Sequence, residues 1–268
     1  MSSPHHQSIA NLVAEGLARL DKMIPGLSEV DTRYGFSAHC ATSLFEEVKR
    51  NSGGQNDLLE SVIAHASEPL SYLALYDQLA SENVLRRENT RHILDLGCGY
   101  RLSSIVYQLL FPDLFRCISI DRNAEKAENG TALRAYRFNP DKFDLRIGSF
   151  YAPSDAEIWK GASGTRYAFL QSFHDGHEDR SKELLPFLRQ VGSLLTPDGA
   201  LIVTIDKRDL ETYQYRASIQ LVTALQRING IKQIQMQRMV PCGHFGMNHS
   251  IDTEVFVAPR VGLVSLRG

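Results

Sequence analysis

The stretch Ile93-Leu-Asp-Leu-Gly-Cys-Gly-Tyr-Arg-Leu-Ser103 decides the fold. Ile93 to Leu96 is a short apolar run holding one acid, the composition of a buried strand, and the residues from Ser103 to Phe111 carry helical periodicity. Between them Gly97 and Gly99 let the backbone turn tightly and come close to a ligand, while amides at the start of the following helix point into the crevice. Strand, glycine turn and helix in that order open a βα unit.

Working outward from that unit, short apolar runs alternate with helical stretches. Strands are expected at Cys117–Ile120, Asp144–Gly148, Tyr167–Gln171 and Ala200–Ile205, and helices at Ala124–Tyr136, Arg180–Leu195 and Tyr215–Arg227. Each parallel return needs a crossover helix, so the alternation predicts an α/β fold with a Rossmann-like, doubly wound sheet. The last two strands, Lys232–Met239 and Thr253–Val257, have no helix between them and are expected to form an antiparallel hairpin at the sheet edge. The sheet then has seven strands.

Upstream the pattern is helical. Ile9, Leu12, Val13, Leu17, Leu20 and Ile24 recur mostly at three- and four-residue steps before Pro25-Gly26. Two more apolar sets follow, Cys40 to Val48 and Leu58 to Ile63, and Pro69 opens a last helix with Tyr72, Leu75, Tyr76 and Leu79 on one face. The reading is therefore a helical lid or bundle over 1–89 and a Rossmann-like domain over 90–268.

Composition narrows the function. The chain has 268 residues, 43 % of them hydrophobic, which suffices for a full core. Its formal charge is −2 and it has no long basic run, which speaks against a polyanionic partner such as nucleic acid and points to a small molecule. Cys40, Cys98, Cys117 and Cys242 form no C-x-x-C pair, so neither a zinc site nor a disulfide framework is expected, and no metal is demanded. No apolar run is long enough for a membrane span, and Met1-Ser-Ser-Pro-His-His lacks the features of a signal peptide. A cytoplasmic protein is the expectation.

A second chemical signal follows the glycine turn: Cys117-Ile-Ser-Ile-Asp121 ends a strand in an acid. A carboxylate there accepts both hydroxyls of a ribose and repels a 2′-phosphate. Its alternative is a helix cap or a salt bridge. A dinucleotide site would want a third glycine where Leu102 stands, which disfavours a nicotinamide cofactor.

With Asp95-Leu-Gly-Cys-Gly99 as first motif and Asp121 as acidic second motif, the sequence resembles the class I S-adenosylmethionine (SAM)-dependent methyltransferases. The resemblance implies SAM as cofactor, held by Asp95, Gly97, Gly99, Tyr100, Asp121, Arg122 and Gln171. Gly148-Ser-Phe150 sits where that family contacts adenine, which adds Ser149 and Phe150. Gln171-Ser-Phe-His-Asp175 after the fourth strand, with Pro197-Asp-Gly199 before the fifth, resembles the small-molecule O-methyltransferases. In that family a histidine at this place takes the acceptor's proton. His174 then either serves as that base or walls the pocket, and Asp206 is placed to orient it. Tyr34 and Phe36 lie on a glycine-bearing segment suited either to a lid hinge or to a simple interhelix turn, and His244 lies in the loop joining the last strands, suited either to substrate contact or to a plain hairpin.

Two other activities share the same site. Methyltransferase-like proteins similar to azetidine-2-carboxylate synthases use the aminocarboxypropyl arm of SAM and release methylthioadenosine. The order His65-Ala-Ser, Leu75-Tyr76 and Tyr100-Arg-Leu102 is similar to ribosomal RNA methyltransferases of aminoglycoside resistance, although those need a basic docking face.

Overall fold

The chain is described by a computed structural model over residues 72–98, 102–123, 140–171, 179–207, 216–242 and 247–266. The three helices expected before residue 70 and the helix at Ala124–Tyr136 lie outside these residues. In order, the elements are α1 (72–81), β1 (His92–Leu96), α2 (Leu102–Leu110), β2 (Arg116–Asp121), β3 (Phe143–Ile147), α3 (Ala156–Trp159) and β4 (Thr165–Gln171). They continue with α4 (Ser181–Leu194), β5 (Leu195–Asp206), α5 (Arg216–Leu225), β6 (Lys232–Cys242), β7 (Met247–Pro259) and α6 (Arg260–Val264).

The described residues fall into two compact units. The smaller contains 72–85, 238–242 and 247–250. Its α1 buries Tyr72, Leu73, Leu75, Tyr76 and Leu79, the face expected from their spacing, with the rings of Tyr72 and Tyr76 stacked 6.1 Å apart. Asn83 ends the helix at φ 58°, a left-handed conformation that asparagine tolerates.

The larger unit carries β1 to β5 and the parts of β6 and β7 outside 238–242 and 247–250; the sheet's seven strands run in the order β3-β2-β1-β4-β5-β7-β6. Strands β1 to β5 are parallel and β7 joins β5 antiparallel, as the helix-less return between the last strands requires. Register fixes two faces. Leu94, Leu96, Ile118, Ile120, Ala168, Leu170, Leu201 and Val203 point one way and are buried with Phe187, Leu188 and Val191 of α4 and Leu221 and Leu225 of α5. The opposite face packs Tyr107 of α2, and Phe111 just beyond that helix, against Phe169 in tilted contacts at 4.6 and 6.1 Å between ring centroids. These strands read as near-continuous apolar runs because helices cover both faces.

Beyond the unexpected short helix α3 and the greater length of β6 and β7, two features differ from the sequence expectation. Thr196-Pro-Asp-Gly199 does not precede β5; it lies inside it, bulging out opposite Arg166 between the pairs Thr165↔Leu195 and Tyr167↔Ala200. The bulge is tied down by Arg166, whose guanidinium meets Asp198 at 2.7 Å. The Thr196 hydroxyl first, and then Arg166, hold the Asp198 carboxyl below its ordinary range against an opposing effect of burial. The second difference is α6, too short to leave a periodic signature. It docks where glycines permit: a Cβ at Gly192 would lie 2.7 Å from Leu263, and one at Gly262 would be driven into the carbonyl oxygen of Asn229. Because that oxygen is backbone and cannot step aside, Gly262→Ala is expected to cost about 1–3 kcal/mol by overpacking. Urea unfolding should show the loss, with Val261→Ala, at a 69 % exposed position, as the near-neutral control. Among the described residues no helix is long and apolar enough to cross a membrane.

Candidate functional site

From β1 the chain moves first to β2 and β3 on one side and then to β4 and β5 on the other. The carboxyl ends of β1 and β4 therefore border the switch point, where an open α/β sheet leaves a crevice. Gly97 begins the exit from β1 with φ 73°, and its amide donates to Ile120 O at 2.8 Å. A residue with a Cβ would be strained there by about 1–2 kcal/mol. The space beside the turn belongs to Phe150, whose ring edge lies 3.6 Å from where a Gly97 Cβ would stand.

Register also gathers the polar groups. Asp95 pairs with Ser119 and Phe169, so Asp95, Asp121, Gln171, Thr204 and Asp206 all share the α2 face of the sheet. Asp95 is buried and accepts from the Ser103 hydroxyl at 2.6 Å and from the Tyr107 hydroxyl at 3.3 Å. A buried carboxylate needs such donors, because its desolvation is otherwise uncompensated. Tyr107 in turn accepts from the Gln171 amide nitrogen at 2.6 Å. Ser103 and Tyr107 were absent from the residues singled out in the sequence; their one local signal is a polar pair four apart on α2, facing the strand that carries the acid.

At the end of β2, Asp121 is buried and its Oδ1 accepts from the amide of Asn123 at 2.7 Å, closing an Asx turn. Its backbone carbonyl accepts from Gly148 N at 2.8 Å, which brings the third strand's exit alongside. Ser149 Oγ accepts from Tyr151 N at 3.3 Å, and this turn presents Phe150 next to Phe187, 5.3 Å between centroids. Asp95, Gly97, Asp121, Ser149, Phe150 and Gln171 thus lie at the carboxyl ends of β1 to β4, with exposed Arg122 just beyond Asp121.

Asp206 stands further along, at the end of β5, where Thr253 of β7 donates to its Oδ1 at 3.1 Å. Gly99, Tyr100, His174, Tyr34, Phe36 and His244 lie outside the described residues. The described residues resume at Asp179, which accepts from Ser181 N at 3.1 Å and Gln220 Nε2 at 2.8 Å and pairs with Arg216 at 2.8 Å. Those bonds, Ser181 foremost, lower its pKa to about 2, so this anchor between α4 and α5 stays charged at any physiological pH. Among the described residues no group of His, Cys, Asp and Glu is arranged to hold a metal.

No family model and no curated protein matches the sequence. Solved structures do. The chain is similar to one from Klebsiella pneumoniae, described provisionally as an O-methyltransferase, at 16 % identity and TM-score 0.51, over 92 % of this chain and 96 % of that one. It is similar to the cofactor-bound Rv0187 from MTB at 12 % identity and TM-score 0.51, over 97 % and 99 % of the two chains. The fold is that of the class I methyltransferases. In this fold the antiparallel β7 lies between β5 and β6, and the strand ends that carry Gly97, Asp121 and Gln171 are the candidate cofactor site.

Proposed function

We propose that the chain is a SAM-dependent enzyme that transfers a methyl group to a small-molecule acceptor. The observation that carries the reading is the set of strand ends itself: a left-handed glycine turn at Gly97, a buried carboxylate at Asp121 and the Ser149-Phe150 turn beside them. A ribose between Gly97 and Asp121, with the adenine toward Ser149 and Phe150, suits these residues in shape and in donors and acceptors. The similar MTB structure is described as cofactor-bound, which supports a cofactor site in a chain of this fold. When bound, SAM supplies a methyl already activated by its sulfonium.

The chain's part is alignment and exclusion of water, which together provide much of the rate for a donor of that reactivity. His174 takes the acceptor's proton, and Asp206 holds the imidazole in the tautomer that accepts it. The segment 1–89 shapes the acceptor site. Tyr34→Ala and Phe36→Ala are therefore expected to raise the KM for the acceptor while leaving the affinity for S-adenosylhomocysteine unchanged; a change in that affinity alone would remove the hinge from acceptor recognition. The net charge of −2 favours a small acceptor over RNA.

The direct test is the by-product after incubation with SAM and a panel of hydroxylated and amine acceptors. S-adenosylhomocysteine is the expected product. Methylthioadenosine would assign the activity to the aminocarboxypropyl arm, and methyl label recovered in ribosomal RNA would replace the small-molecule acceptor.

A further inference from the structure

We infer that Tyr107 is a positioning residue that fixes the Gln171 amide with its carbonyl oxygen toward the crevice, making Gln171 the acceptor for the ammonium on the amino-acid arm of SAM. The inference rests on the SAM reading and deepens it. Its basis is the direction of the hydrogen bonds. The Asp95 carboxylate only accepts, so the single hydroxyl proton of Tyr107, 3.3 Å away, is directed to it. The lone pairs of Tyr107 Oη then face Gln171 at 2.6 Å, and only the amide nitrogen can donate to them. Gln171 Oε1 is left turned away from Tyr107, at the last residue of β4 beside the switch point.

The orientation is rigid on one side and open on the other. Tyr107 is fully buried, its ring 4.6 Å from Phe169, and Gln171 is half-buried. A relay of donors that begins on a buried negative charge ends on the amide oxygen of a half-buried residue. Such a terminus matches a cation carrying N–H groups and repels a carboxylate. On the ligand proposed for this crevice, that group is the α-ammonium.

The test compares two probes on the full chain by calorimetry: S-adenosylhomocysteine, which carries the amino-acid arm, and methylthioadenosine, which lacks it. Tyr107→Phe keeps the ring that packs on Phe169 and removes only the hydroxyl. It is expected to weaken S-adenosylhomocysteine roughly 10-fold, the worth of a hydrogen bond to a charged group, and to leave methylthioadenosine unchanged. Gln171→Leu should do the same. A carboxylate at position 171 presents an acceptor whichever way it turns, so in the Gln171→Glu background Tyr107→Phe should cost nothing. Equal weakening of both probes by Tyr107→Phe, no weakening of either, or an undiminished loss in the Gln171→Glu background overturns the inference. Failure of the unaltered chain to bind S-adenosylhomocysteine would instead overturn the SAM reading on which it rests.

Discussion

Asp121→Ala is expected to weaken the binding of SAM and S-adenosylhomocysteine by about 100-fold or more while the protein remains folded. The estimate follows from what a carboxylate at the end of β2 does for a ribose: two charge-assisted hydrogen bonds, each worth roughly 1.5–3 kcal/mol, disappear together. The substitution also removes the acceptor that closes the turn at Asn123, a bond of 2.7 Å, so part of any loss belongs to the loop. Asp121→Asn separates the two contributions. Its side-chain oxygen still closes the turn, but it accepts from one hydroxyl at most and carries no charge. Calorimetry on both variants should give a large loss for the alanine and a loss nearly as large for the asparagine. Normal affinity in the asparagine variant would reduce Asp121 to a turn-forming residue, and normal affinity in both would remove the ribose from this crevice.

The parts of this site that were legible from sequence are those whose chemistry is local. Ile93 to Leu96 could hardly be anything but a buried strand, and a glycine in the left-handed conformation directly after it follows from the need to turn back into a helix. Asp121 was visible for the same reason, as a lone acid closing an apolar run. What the sequence did not show depends on partners far along the chain. The Tyr107–Gln171 bond joins residues 64 positions apart, and it exists because parallel register puts Asp95 level with Phe169, two residues short of Gln171. Pro197-Asp-Gly199 has the composition of a turn and does turn, yet the ladder resumes on both sides of it, a choice made by Arg166 and the neighbouring strand. The short helix α6 is held by the absence of side chains at Gly192 and Gly262, and nothing within its own five residues announces it.

The alanine variant of His174 is expected to turn over about 10²- to 10⁴-fold more slowly at saturating SAM, with the affinity for SAM little changed. The magnitude is that of a general base placed to receive the acceptor's proton. The split between rate and affinity follows from the role, since a base touches the acceptor and not the ribose that Asp121 holds. Asp206 bears on the same measurement. Its Oδ1 already accepts from Thr253 at 3.1 Å, so the carboxylate is fixed in place at the end of β5 rather than free to swing. Asp206→Asn keeps that acceptor and removes the charge that would stabilise an imidazolium. It should therefore lower the rate by less than His174→Ala, and the double variant should be no slower than His174→Ala alone, because an orienting group has no effect once the group it orients is gone. Additive losses would mean that the two residues act separately. A loss of SAM affinity equal to the loss of rate would make His174 a wall of the pocket. The pH profile supplies a further check: a neutral imidazole is required, so the rate should fall as pH drops through the histidine range, and that limb should vanish in His174→Ala. An acceptor whose hydroxyl is itself acidic would flatten the same limb in the unaltered protein, and an amine would add a limb of its own by protonation, so the comparison is best made on an aliphatic alcohol.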